Sequence, residues 1–180
     1  PAYAGANNQR YNLLPTDYGS ASYEDYLIST KATRTKAVFV GANDGMLHAF
    51  NAANGQEMFA FIPRGVYSKL ERLSRTDYQH LYSVDGPVYV GDAYINYGGS
   101  KAWRTLVGGT LGAGGRGAYL LDVTDVLAGD TDIPRVIFDI YAEDTTLPYR
   151  NDLGYSTSKM LIVPTAGGGW SAIFGNGSSK

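Results

Sequence analysis

The six residues Gly112-Ala113-Gly114-Gly115-Arg116-Gly117 have the spacing G-x-G-x-x-G. In a dinucleotide site that spacing opens a helix, because the pyrophosphate rests on the helix N-terminus. Here Ala118-Tyr119-Leu120-Leu121-Asp122-Val123 follows, an apolar run of strand length, so the segment reads as a glycine-rich hairpin loop with Arg116 at its tip. Asp122, Asp125, Asp130 and Asp132 form an acidic stretch. Calcium needs six or more oxygens, and an EF-type loop supplies them at alternating positions with a late Glu, a spacing not found here. Asp122 and Asp125 instead suit a short turn, as does Asp152 beside Asn151. His48 lies mid-strand on one face with Met46 and Phe50, and His80 follows Asp77-Tyr78-Gln79 in a loop; both read as structural or surface histidines. There is no Gly-x-Ser-x-Gly elbow and no paired-carboxylate motif, although spacing alone leaves open which carboxylates meet in space. With no Cys and two distant His, a disulfide, a thiol nucleophile, a zinc ribbon and a multi-His metal site within the chain are excluded. No catalytic, cofactor-binding or metal-ligating residue is therefore expected.

The composition points the same way. The 15 Lys and Arg nearly balance the 17 Asp and Glu, for a net charge of −2, which does not fit an electrostatic nucleic-acid binder. At 44% hydrophobic and 18% charged, 180 residues build one packed domain. No apolar run approaches the ~20 residues of a membrane span. The chain starts at Pro1 with no Met and no signal peptide, so it is expected to be processed or cut from something larger.

What must position any site is a set of short strands. Apolar runs are bounded by Gly, Asn, Asp or Pro throughout. Ala37 to Gly41, Met46 to Ala52 and Glu57 to Ile62 are separated by Asp44-Gly45 and Asn54-Gly55, pairs that supply positive φ cheaply, so they read as an antiparallel meander. Gly98-Gly99 and Gly167-Gly168-Gly169 are hairpin turns by composition. Two segments change character. Val66, Leu70 and Leu73 share one face of a short helix, and Tyr23, Tyr26 and Leu27 share a face of another over 23–30. Both are read as insertions. Segments 10–36 and 64–84 are taken as loops between strand groups and as the most variable parts.

The strands repeat. Val38-Phe39-Val40-Gly41, Thr105-Leu106-Val107-Gly108 and Ala172-Ile173-Phe174-Gly175 end alike, with glycines 67 residues apart each time. Pro1-Ala2-Tyr3-Ala4-Gly5 recurs as Pro87-Val88-Tyr89-Val90-Gly91, and Met58-Phe59-Ala60-Phe61 as Val136-Ile137-Phe138-Asp139. The prediction is an all-β chain: a partial β-propeller of four-stranded antiparallel blades with short helical insertions. Blade 1 covers about 1–62, a helical insertion 64–84, blade 2 about 87–141, and a half blade about 158–175, with strands near 158–164 and 169–175. A β-sandwich with coincidental glycines is the alternative. Strand 169–175 would leave an open edge through which the chain could self-associate.

Tyrosine is the outlier at 15 residues, with Tyr67, Tyr78, Tyr82, Tyr89, Tyr94 and Tyr97 crowded together. Some brace strands and some loop tyrosines suit an interface. Segment 64–84 also carries Arg64, Lys69, Arg72 and Arg75. Its helix is expected to bury Leu70 and Leu73 and turn the basic residues outward, making Tyr67, Tyr78, Tyr82, Arg72 and Arg75 the candidate interaction surface.

Residues 38–55, from Val38 to Gly55, resemble the opening blade signature of the PilY/PilC family of type IV pilus biogenesis proteins and tip-associated adhesins. Leu111 to Asp125, then Asp152-Leu153-Gly154-Tyr155, then Phe174-Gly175-Asn176-Gly177 resemble it in the same order. Asn51 departs from the Asp common in the family but keeps the turn-forming side chain. The resemblance implies part of a modified β-propeller, a non-enzymatic role in pilus extension, twitching motility and host attachment, and a secreted bacterial protein at the pilus tip or outer-membrane surface. The partners it implies are pilins or minor pilins and the host-cell surface, with no nucleic acid and no transmembrane segment. Calcium is implied for the full-length protein, in an acidic loop beyond Lys180, and no ligand falls in this chain. No Arg-Gly-Asp triplet is present. The competing reading is a fragment of a quinoprotein-type or carbohydrate-active propeller enzyme. The first would need repeated tryptophan docking motifs, whereas Trp103 and Trp170 stand alone; the second would need convergent carboxylates.

Overall fold

A computed structural model describes residues 1–96 and 99–178. Its first sheet contains β1 (Ala2–Ala4), β2 (Ala37–Gly41), β3 (Leu47–Asn51) and β4 (Glu57–Phe61), all antiparallel and in sequence order. The two tight turns form as their residues dictate. Gly45 takes φ 98° while Asp44 Oδ1 accepts the Met46 N–H at 3.0 Å; Gly55 takes φ 73° while Asn54 Oδ1 accepts the Gln56 N–H at 3.0 Å. Alternation then puts Ala37, Phe39, Leu47, Ala49 and Phe59 on one buried face.

The second sheet repeats this order with β5 (Val88–Asn96), β6 (Lys101–Thr110), β7 (Gly117–Asp122) and β8 (Arg135–Tyr141). Even the irregularities recur: register shifts occur between Ala49 and Phe50 in β3 and between Leu120 and Leu121 in β7. Asn51 and Asp122, the equivalent residues just after the two bulges, each accept the N–H two residues on, from Ala53 at 2.9 Å and Thr124 at 3.0 Å. A hairpin of β9 (Leu161–Thr165) and β10 (Gly169–Ile173) follows. Strands β1, β5 and β9 pack against one another in succession, so the first strands of the three units line a common axis.

The second sheet is covered on both faces. Val107, Tyr119 and Leu121 pack on the first sheet, while Leu106, Ala118 and Leu120 pack on Met160 and Ile162. This explains why all six residues of β7 are buried and read as a continuous apolar run. It also gives Gly108 and Gly109 a role that the repeat did not reveal. Strand β6 does not end at Gly108. A Cβ there would lie 2.4 Å from Met160 Sδ, and one at Gly109 would lie 2.5 Å from the Tyr119 hydroxyl. Gly108 admits the neighbouring layer, and Gly109 leaves room for the Tyr119 ring lying across it from the paired strand β7.

Two expectations need correction. Segment 10–36 is not a loop between blades: it lies within the first sheet, between β1 and β2. Its α1 (Ser20–Tyr26), extended by a wider turn over Leu27–Lys31, buries Tyr23 and Tyr26 against Trp103 of the second sheet, with Tyr11 stacked on Trp103 at 5.5 Å. Tyrosines that look available in the sequence are spent here on packing. The second correction concerns 64–84, where the helical turns are broken: α2 spans only Tyr67–Leu70, flanked by tight turns at Arg64–Val66 and Glu71–Ser74. Val66 is buried, but Leu73 is 39% exposed, because the tighter final turn rotates it off the apolar face. The expected turn at Gly98-Gly99 and the tyrosine at Tyr97 fall at least partly outside the described residues, as does Lys180.

Candidate interaction surface

Insertion 64–84 is fastened at both ends. At its start, the Arg64 N–H donates to Asp139 Oδ2 at 2.9 Å, Arg64 Nη2 donates to the Asp139 carbonyl at 3.1 Å, and the guanidinium lies 5.7 Å from the Tyr141 ring centroid. Burial raises the Asp139 carboxyl above its usual range against the pull of Arg64. At its end, Ser83 N–H donates to Asn43 Oδ1 at 3.0 Å and Val84 N–H to the Ala42 carbonyl at 3.2 Å, both in the first sheet's hairpin; Asp85 N–H donates to the Leu111 carbonyl at 3.3 Å. Lys69, expected to face outward, instead turns in. Its Nζ donates to the carbonyls of Tyr82 and Gly114, and burial lowers its pKa. The insertion therefore bridges the two blades.

Outside these anchors it presents a mixed surface. Tyr67 and Tyr82 are half exposed, Tyr78 is 40% exposed, and Arg72 and Arg75 are exposed. Arg75 has only a loose contact with Asp77 at 3.9 Å, and Arg72 has no ion-pair partner among the described residues. The Tyr78 hydroxyl accepts the Leu81 N–H at 3.2 Å, and His80 meets Tyr82 edge-on at 5.2 Å, so these rings are held rather than loose. Rigid aromatic rings beside exposed guanidinium groups are among the side chains that contribute most at protein interfaces. Tyr89 and Tyr94 lie in β5 and are half-buried.

The other singled-out residues take structural places. Gly112–Gly114 forms a tight turn leading into β7, and Arg116 approaches Glu143 at 3.8 Å. Asp122 does more than turn the chain: with Asp125 it grips Arg104, at 2.5 and 2.7 Å. Among the described residues, no group of three His, Asp or Glu gathers to hold a metal, and no helix is long and apolar enough to cross a membrane.

His48 sits between Glu57 Oε1 at 2.6 Å and Asp44 Oδ2 at 2.8 Å, stacked on Phe50. Burial alone would lower its pKa, but the bonds to Glu57 and Asp44 outweigh it and the net shift is upward. A raised folded-state pKa adds stability that is complete below the unfolded value of about 6.5 and is lost as pH rises through the folded value. Because both carboxylates are half exposed, the loss is under about 1 kcal/mol. Denaturation midpoints of wild type and His48→Gln should differ near pH 5.5 and converge near pH 8.5 (about one unit below and two above the reference histidine value). A gap that does not change with pH rejects this account.

Sequence reasoning missed the buried polar cluster of Lys31, Arg34, Asp92 and Thr105. Asp92 Oδ2 accepts from Lys31 Nζ at 2.6 Å and from the Tyr23 hydroxyl at 3.0 Å, and Oδ1 accepts from Thr105 Oγ1 at 2.8 Å. Burial lowers the Lys31 pKa against the pull of Asp92 and raises the Tyr26 hydroxyl to about 12. The available signal was an aspartate in the middle of an otherwise apolar strand.

Successive four-stranded antiparallel sheets, packed face to face with their first strands along a common axis, define a β-propeller architecture. Residues 2–180 match the model of the PilY1 β-propeller domain, and the chain belongs to that family. It is 40% identical, over all of its length, to a type IV pilus biogenesis factor PilY1 homolog of Xylella fastidiosa Temecula1. It is 38% identical, over 94% of its length, to type IV pilus biogenesis factor PilY1 of Pseudomonas aeruginosa PAO1. It spans 14% and 15% of those two proteins. The crystal structure of the P. aeruginosa PilY1 C-terminal domain superimposes with a TM-score of 0.71 at 36% identity, covering 99% of this chain and 32% of that one.

Proposed function

We propose that this chain supplies two blades and a further hairpin to the propeller of a type IV pilus biogenesis factor, and that it acts by binding rather than by catalysis. The observation that carries this reading is the match along nearly the whole chain to relatives named for that role. On this reading the protein works at the cell surface or pilus tip, supporting pilus extension, twitching motility and host attachment. The contact surface is the anchored insertion, with Tyr67, Tyr78, Tyr82, Arg72 and Arg75 facing a pilin or minor pilin. Calcium belongs to the full-length protein, outside this chain. The outer edge of β10, unpaired among the described residues, takes the next strand of the longer protein in preference to a second copy.

The test is a triple substitution, Tyr67→Ala, Tyr82→Ala and Arg72→Ala, in the full-length protein in its host bacterium. All three side chains are exposed, so secretion and surface level should be unchanged, while twitching and attachment fall several-fold. Normal motility and attachment at a normal surface level would remove the insertion from the contact surface. Tyr78→Phe serves as a control: it removes the hydroxyl that holds Leu81 but keeps the ring.

A further inference from the structure

The buried cluster around Asp92 is unbalanced. Lys31, Arg34 and Asp92 are 2%, 7% and 1% exposed, so two cations share one carboxylate. Asp92 is fully engaged by Lys31, Tyr23 and Thr105, and Lys31 also donates to the Asn7 carbonyl at 2.6 Å. Arg34 receives only neutral oxygens: Nη1 reaches Thr105 Oγ1 at 2.8 Å and the Tyr26 hydroxyl at 3.3 Å. Its Nε and Nη2 are buried with no hydrogen-bond partner among the described residues. A guanidinium held from water without a counter-charge is costly, and native proteins seldom leave such groups unmatched.

Arg34 also lines a groove of about 600 Å³ between the α1 segment and the second sheet. Tyr26, Thr30, Tyr94, Trp103 and Lys101 line it too. Lys101 is exposed and has no ion-pair partner among the described residues. Arg104 reaches the same groove, but Asp122 and Asp125 already neutralise it; Asp130 is an exposed carboxylate at the rim. Three cations thus meet three carboxylates at the groove, and Arg34 and Lys101 are the two cations with no carboxylate in contact among the described residues, next to aromatic rings and hydroxyls.

We propose that this groove binds an oxyanion, a carboxylate or sulfate either free or carried on a saccharide, held by Arg34 and Lys101. A guanidinium edge offering Nε and Nη2 is the fork that matches a carboxylate or sulfate in two parallel hydrogen bonds. The hydroxyls of Ser29 and Thr30 line the same groove and suit the hydroxyls of a sugar, whereas Trp103 is 5% exposed and already stacked on Tyr11. Both nitrogens are shielded in this structure, so binding requires a side-chain rotation at the groove floor.

The experiment is titration calorimetry on the full-length protein at constant ionic strength, with sodium sulfate, galacturonate and galactose as probes. The expected result is saturable binding of sulfate or galacturonate and none of galactose. Lys101→Glu, an exposed substitution that leaves the fold intact, should weaken binding at least tenfold, and Arg34→Lys, which keeps the charge but loses the fork, should weaken it too. Tighter binding of galacturonate than of sulfate assigns the oxyanion to a saccharide; equal or tighter sulfate binding assigns it to a free ion. Absence of saturable heat with both anions, equal binding of galactose, or affinity unchanged in both variants would overturn the proposal.

Discussion

Asp92→Ala lowers stability by about 3–5 kcal/mol, the cost of leaving a buried charge without its partner. The substitution strips Lys31 of its carboxylate partner and removes the acceptor of Tyr23 and Thr105 in one step. Its effect should depend on pH in a defined direction. Lys31 already has a lowered pKa because it is buried, and losing Asp92 lowers it further. As pH rises through that value the lysine sheds its proton, so the variant should recover part of its deficit in alkaline solution. Replacing both partners with apolar residues, Asp92→Leu with Lys31→Met, should recover more than the single variant does. Urea denaturation of the three proteins at neutral and alkaline pH provides the check. A loss below about 1 kcal/mol for Asp92→Ala would place the pair among solvent-screened ones.

Gly114→Ala should have a comparable effect through a different cause. A Cβ at position 114 would lie 1.7 Å from the Ser83 carbonyl oxygen and 2.3 Å from its carbon, and both are backbone atoms that no rotamer change can move. Either the end of the insertion or the 112–117 turn must shift. Overpacking typically costs about 1–3 kcal/mol and sometimes more. The shift also breaks the Lys69 contact to the Gly114 carbonyl, so the insertion should loosen before the blades do. Limited trypsin digestion reads this directly: cleavage after Lys69, Arg72 and Arg75 should accelerate many-fold at temperatures where the sheets persist. Gly115→Ala is the control, since its added Cβ would approach the end of the Leu111 side chain at 3.0 Å and meet the Gly65 carbonyl oxygen at an ordinary 3.7 Å. Equal behaviour of the two variants would mean that the insertion is not fastened at Gly114. In the cell, Gly114→Ala should impair the same functions as removing Tyr67 and Tyr82, because it displaces the surface that carries them.

The propeller was legible because its signals are local. Asp44-Gly45 and Asn54-Gly55 fix their turns with their own side chains, and the 67-residue spacing aligns second strands across three units. The insertions were legible as interruptions but not in their packing. Leu73 has helical spacing from Val66, yet a tighter final turn takes it into solvent, and Lys69 faces inward because a carbonyl 45 residues away accepts it. The Lys31–Asp92 pair joins residues 61 apart, and the Gly108 approach to Met160 joins layers, so neither leaves a trace in short-range pattern.

Every ladder in the two complete sheets joins strands that are consecutive in the chain. Each blade can therefore finish its hydrogen bonding from its own contiguous stretch, without waiting for sequence still to come. For a chain delivered end-first through a ribosome or an export channel, that order permits assembly blade by blade, with each finished blade offering an apolar face on which the next condenses. The aromatic insertion between β1 and β2 is the exception. Tyr23 and Tyr26 close on Trp103, so blade 1 acquires its final packing only after β6 has emerged, and the first two blades should behave as a single cooperative unit as the chain folds.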